Sequence, residues 1–206
     1  DLKIYIFLIF IILIINQNKY LNYETISWDT ASYLVASMPI GDGYLPLEKQ
    51  WDSKGPLFFY IYYFLTFLSN NSLVYFKIFN DLILFLICLN LYKTINLLNK
   101  DNKFISFIFT TLFLTITAKT DFVPEYSEYY VLLIISWLFV RYIRYKFDNN
   151  NLYIIPFLIS LCFLINQSAA IFLIPYIFLY LRNSKFKIND ITKTLIGFFI
   201  PQLFVH

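Results

Sequence analysis

Two charged side chains in one polar stretch of this 206-residue sequence are of types that could work together on a phosphate ester. Asp29 follows Trp28 and stands four residues before Tyr33, and Lys54 lies within Trp51-Asp52-Ser53-Lys54-Gly55-Pro56. A carboxylate can act as general base on an acceptor hydroxyl or amine. A lysine ammonium is a compact cation able to neutralise a phosphate leaving group. Spacing alone favours reading both as solvated loop charges. A second acidic group, Glu125-Tyr126-Ser127-Glu128-Tyr129-Tyr130, follows further along the chain. A zinc site has no support, because the only histidine is His206 and the two cysteines, Cys88 and Cys162, lie apart in apolar runs. Glycine occurs only at 41, 43, 55 and 197, so this stretch of chain has no phosphate-cradling glycine loop of an ATPase or Rossmann enzyme.

The elements that must carry these residues are set by composition. Hydrophobic residues make up 59% of the chain and charged ones 14%, against about 45–50% and about 25% in soluble globular proteins. That balance excludes a disordered chain, and two cysteines exclude a disulfide scaffold. A net charge of +3 gives no basis for nucleic-acid binding. The chain reads as an integral membrane protein. Ile, Phe, Tyr, Asn and Lys are abundant together, as an AT-rich coding sequence would produce, so aromatic richness alone does not argue for a ligand cage. With Asp1 first and His206 inside an apolar run, the expectation is one domain, 1–206, incomplete at both ends.

A spanning helix needs ~20 mostly apolar residues, because the bilayer core offers its backbone no partners. The apolar segments are 4–15, 57–68, 78–98, 104–118, 129–140, 152–165, 169–181 and 194–205. They predict an all-α, polytopic transmembrane bundle. Basic residues gather in 93–103, 141–151 and 182–193, which the positive-inside tendency assigns to the cytoplasm. Eight of the thirteen carboxylates fall in 18–56 and 119–128, which then lie outside. These signs alternate only if 57–68 does not span. The expectation is that this segment lies along or dips into the outer interface, where its dense Tyr and Phe content would suit headgroup level. The alternative is a spanning segment that reverses every later loop.

The long outer loop, 17–56, exceeds the length of ordinary connections and has a helical pattern over 26–38. Ala31, Leu34, Val35 and Met38 form its expected apolar face, with Asp29, Ser32, Tyr33 and Ser37 opposite, and Pro39 and Gly41 end it. Elsewhere, Lys77 and Asp81 stand four apart near the start of a span, where Lys77 is expected to reach for the outer surface, the alternative being an intramembrane pair. Asn80, Asn90 and Asn96 are placed to bond between helices. Asn166-Gln167-Ser168 forms a short outer turn.

The run Trp28-Asp29-x-x-x-Tyr33, a glycine-containing turn, and Trp51-Asp52-Ser53-Lys54-Gly55-Pro56-Leu57 resembles the first external loop of GT-C glycosyltransferases. More narrowly, it is similar to the bacterial members related to protein O-mannosyltransferases and to the aminoarabinose transferase of lipid A. The resemblance implies that Asp29 is the catalytic base and Lys54 the lysine that contacts the donor phosphate. It implies a polyprenyl-phosphate-sugar donor, an inverting displacement at the anomeric carbon, and a lipid, glycan or protein acceptor. It places Glu128, with Glu125 and Asp52 near it, where an acceptor or a divalent metal would be oriented. Ser53 departs from the pattern, since an acidic residue there helps hold a metal in the aminoarabinose-transferase type. The specific part of the likeness covers 28–57. The implied setting is the external face of a bacterial inner membrane, among membrane lipids and without nucleic acid. The rival reading is a polytopic transporter or lipid flippase, which should bring paired ionisable groups to the middle of its spans.

Overall fold

A computed structural model describes residues 2–21, 26–49, 52–99, 102–119, 126–145, 150–172, 174–175, 178 and 188–204. The fold is all-α. Helices among the described residues include α1 (Leu2–Leu21), α2 (Trp28–Ser37), α3 (Pro56–Leu68), α4 (Leu73–Leu98), α5 (Lys103–Lys119), α6 (Ser127–Tyr145), α7 (Asn151–Ile165) and α8 (Ile188–Phe199). Short 3-10 turns occupy Met38–Asp42, Gln167–Phe172 and Pro201–Phe204. Among the described residues one helix, α4, is long and apolar enough to cross a membrane.

Local chemistry sets the ends of the elements around the polar loop. Ser27 starts α2, its hydroxyl accepting the Thr30 N–H at 3.1 Å as an N-cap. Helix α2 ends at Ser37, just before Pro39, as expected, and the chain continues as a 3-10 turn over Met38–Asp42. Pro39 and Gly41 lie inside that turn, and Gly43 ends it at φ 88°, a conformation natural to glycine. Pro56 opens α3 at a position where a missing N–H costs nothing. Asn70 and Asn71, at φ 50° and 60°, reverse the chain between α3 and α4, and asparagine tolerates that region better than most residues.

Hydrogen bonds between helices give the register. Tyr130 of α6 donates to Asn80 Oδ1 of α4 at 2.7 Å, and Asn90 donates to Ser136 Oγ at 3.1 Å, so α4 and α6 run parallel. Asn16 of α1 donates to Asp81, while Leu8 and Ile12 pack level with Leu84, Ile87 and Cys88, so α1 is antiparallel to α4. Gln202 donates to Ser160 and Gly197 lies against Tyr153, so α8 runs parallel to α7. One end of the bundle therefore collects the starts of α4 and α6 and the ends of α1 and α7. The other end carries Lys3, Lys93, Lys103, Arg141, Arg144 and Lys193. Arg141 is anchored there by Asn151 Oδ1 at 2.7 Å and by the faces of Trp137 and Tyr145.

α3 does not traverse this bundle. Gly55 meets the end of α7, and Tyr62 packs on Phe76 near the start of α4, so both ends of α3 lie at the Ser127 end. Its 13 residues reach about 20 Å at 1.5 Å each, short of the ~30 Å hydrocarbon core. The aromatic residues of α3 divide between core and surface, with Phe64 and Phe67 exposed. Phe58, Phe59 and Tyr62 are fully buried, in a cluster with Tyr33, Phe76 and Tyr130. Their rings meet at tilted or edge-on angles, Tyr33–Phe58 at 5.0 Å and Phe58–Tyr62 at 4.6 Å.

Three expectations are corrected. The buried face of α2 is Thr30, Tyr33, Leu34 and Ser37, while Val35 and Met38 are exposed. The spacing is the expected one, rotated by one residue, because the Tyr33 ring has the larger surface to bury and finds the aromatic cluster. Lys77 is buried (5% exposed) inside the bundle instead of reaching for its surface. The segment 194–205 starts earlier, at Ile188, and breaks before Pro201. Segment 169–181 begins as a 3-10 turn, and most of the rest lies outside the described residues.

Candidate functional site

The segment that carries Lys54 is pinned to the end of α7 by its backbone. Lys54 and Asn166 form an antiparallel β-bridge, and the Gly55 N–H donates to Ile165 O at 3.0 Å. A β-carbon at Gly55 would stand 2.0 Å from the Leu164 carbonyl oxygen, so this approach requires glycine. Pro56 then directs the chain into α3. The Lys54-Gly55-Pro56 run thus has a physical reason: one residue bears the charge, one permits contact, one starts the helix. Asp52 shapes the approach, accepting the Lys54 N–H at 3.0 Å and the Ser53 hydroxyl at 3.4 Å. That carboxylate stabilises the turn presenting the lysine.

Lys54 meets Glu128, 74 positions away, with Nζ 3.1 Å from Oε1. The lysine is mostly covered and the carboxylate half exposed. Asn166 donates to the same Oε1 at 2.9 Å and to Ser127 Oγ at 3.0 Å, and Ser127 Oγ donates to Oε2 at 3.2 Å. Burial pushes the Glu128 carboxyl up. Its own backbone N–H, Lys54 and Ser127 outweigh that and hold it below the usual carboxylate range. Its place in the first turn of α6 adds the favourable end of the helix dipole.

Asp29 approaches from α2, exposed in the first turn. Its link to the cluster runs through Tyr33. Burial, then the charges of Asp29, Asp52 and Glu128, push the Tyr33 hydroxyl up to about 12. Three carboxylates from three separate segments thus lie within electrostatic reach of one phenol. Of the residues singled out in the sequence, Asp29, Asp52, Lys54 and Glu128 come to one end of the bundle. Glu125 lies outside the described residues. Asn166 and Ser127, which complete the cluster, were not singled out for chemistry. The available signal was slight: a polar triplet between two apolar segments on the same side as Asp29.

From Glu128 and Asn166 a groove of about 230 Å³ runs down α6, walled by Val131, Leu132, Ile135 and Ala169, with Ser168 at its mouth. Its head is polar and charged and its body apolar. Among the described residues, no three His, Cys, Asp or Glu side chains group closely enough to hold a metal ion. Asp52 and Glu128 are engaged with hydrogen-bond donors, and Glu125 lies outside the described residues. Both cysteines are buried and free of a disulfide.

No family model, curated protein or solved structure matches the chain.

Proposed function

We propose that this chain is an integral membrane glycosyltransferase of the GT-C kind. It would transfer a sugar from a polyprenyl-phosphate donor to a lipid, glycan or protein acceptor at the external face of a polytopic bundle. The observation that carries this reading is the meeting of Lys54, Glu128 and Asn166 at the head of an apolar groove, at the end of the bundle where α2, which carries Asp29, packs. A lipid-linked phosphate has the matching form, an anion at the end of an apolar chain. The cluster also lies opposite the basic end of the bundle, the arrangement expected if the basic end is cytoplasmic.

In this reading the acceptor oxygen or nitrogen attacks the anomeric carbon as its proton passes to Asp29. The bond from that carbon to the donor phosphate oxygen breaks, and the bonding pair leaves with the polyprenyl phosphate. The phosphate gains one negative charge, which Lys54 offsets. Glu128 holds Lys54 in its extended position before the phosphate arrives.

One observation favours the rival, a transporter or lipid flippase. Lys77, Asn80 and Asp81 are buried along α4, and Asp81 lines an apolar groove of about 470 Å³ against α1. Buried ionisable groups in a candidate span are functional hypotheses by default. Against it, Asn16 and Tyr130 tie Asp81 and Asn80 to neighbouring helices, a holding role. A vesicle assay separates the two readings. Lys54→Ala should weaken binding of a polyprenyl-phosphate sugar about tenfold or more, one charged hydrogen bond's worth, while Asp81→Asn leaves it unchanged. Loss of lipid translocation in Asp81→Asn with donor binding intact in Lys54→Ala would favour the transporter.

A further inference from the structure

Three side chains donate to Glu128 beside its own backbone N–H, and the two that are not Lys54 are joined at Asn166. The Asn166 amide donates to Glu128 Oε1 and to Ser127 Oγ, and Ser127 passes a hydrogen bond on to Oε2. The Asn166 carbonyl oxygen accepts the Ser168 N–H at 3.0 Å, which fixes the amide so that its NH₂ faces the carboxylate. The backbone of Asn166 is equally occupied. Its N–H donates to Cys162 O at 2.9 Å, its carbonyl accepts the Ala169 N–H at 2.9 Å, and it bridges to Lys54. This residue, 8% exposed, therefore touches the lysine's segment through its main chain and the glutamate through its side chain.

An ammonium recruited by a phosphate leaves Glu128 without its cation, beside a newly arrived anion. Both changes push a carboxylate towards taking a proton. Two neutral donors that stay in place oppose them. We propose that Asn166 is a positioning residue that keeps Glu128 ionised and in place while Lys54 turns to a phosphate. This rests on the reading of Lys54 as the phosphate's contact. The ionisable groups gathered around Glu128 are Lys54 and, through their shared neighbour Tyr33, Asp29, Asp52 and Tyr126. From the end of α7 and the turn after it come Asn166 and Ser168, which carry no charge.

The test is a titration of Glu128 that needs neither donor nor acceptor. The chain has four glutamates, so carboxyl-¹³C-glutamate labelling gives a short NMR spectrum, and the signal missing from Glu128→Gln identifies the residue. Asn166→Ala should raise the Glu128 midpoint by about one pH unit, the effect of one strong hydrogen bond to the charged form. Asn166→Asp keeps the shape and the main-chain bridge but replaces the donor with a second carboxylate, and should raise it further. In Lys54→Met, which mimics the lysine's departure, Asn166→Ala should still add a shift of at least that size. An unmoved Glu128 midpoint in both Asn166 variants, or no added shift in Lys54→Met, would overturn the proposal. Because no transfer is measured, failure here leaves the glycosyltransferase reading standing, and a failed transfer assay leaves this titration to be decided on its own.

Discussion

Gly55→Ala is the smallest change that should dismantle the charged cluster. The added β-carbon would stand 2.0 Å from Leu164 O and 2.5 Å from Leu164 C, both main-chain atoms that cannot swing aside. Restoring an ordinary contact of 3.4 Å demands a separation of the two segments of about 1.4 Å, worked from those distances. The 3.0 Å bond from Gly55 to Ile165 O cannot survive that movement. Losing it costs about 1 kcal/mol and relieving the overlap about 1–3 kcal/mol, so about 2–4 kcal/mol in all. Lys54 moves with its backbone, away from Asn166 and Glu128. A zero-length carbodiimide coupling between the Lys54 amine and the Glu128 carboxyl, read by peptide mass spectrometry, should fall several-fold in Gly55→Ala. Gly43→Ala is the control. It has open space around its β-carbon but a φ of 88°, so it strains its own turn by about 1 kcal/mol and leaves the coupling unchanged. Wild-type coupling in Gly55→Ala would refute the claim that this glycine sets the approach.

Two further predictions concern charge and packing. Glu128 has a folded value below its ordinary 4.5, so its contribution to stability is complete above that pH and lost as pH falls through the folded value. Acid unfolding followed by tryptophan fluorescence should therefore show a shallower decline below pH 4.5 in Glu128→Gln than in wild type, and identical acid limbs would refute the linkage. Tyr33→Ala empties a site enclosed by Phe58, Phe59 and Tyr62 and should destabilise by about 3–5 kcal/mol in a denaturant titration. Tyr33→Phe keeps the ring and should cost under about 1.5 kcal/mol, and equal losses in the two variants would show that the hydroxyl, not the ring, holds α2.

The sequence showed the helices because their apolar runs are long, and it showed the opposed charge of the two bundle ends because like-signed residues cluster between those runs. It also pointed to Asp29 and Lys54 through the Trp28-Asp29 and Lys54-Gly55-Pro56 runs, and to Glu128 through the acidic group 125–130. What periodicity could not give was the rotation of α2. In a chain this apolar the buried face is decided by which ring finds partners, and Tyr33 outcompetes Val35 and Met38. Which of the α3 aromatics enter the core was hidden for the same reason, since Phe and Tyr suit an interface and a core equally well, and α3 buries Phe58, Phe59 and Tyr62 while exposing Phe64 and Phe67. Lys77 was misplaced because a lysine near the start of a span has the reach to emerge, and only the packed bundle shows it enclosed. Asn166 was invisible as a site residue. Its importance comes from a backbone bridge to Lys54 and a side-chain bond to Glu128, contacts that close over 112 and 38 positions of chain.

The central claim, transfer of a sugar from a lipid phosphate with Asp29 as the base, is tested most directly in proteoliposomes. A polyprenyl-phosphate sugar labelled in the sugar is supplied with an extract of cell-envelope acceptors, and transfer is followed for wild type and Asp29→Asn. The account predicts labelled product from the wild type and a loss of at least about a hundredfold in Asp29→Asn, with donor binding and thermal stability unchanged. Transfer at near wild-type rate in Asp29→Asn would contradict it.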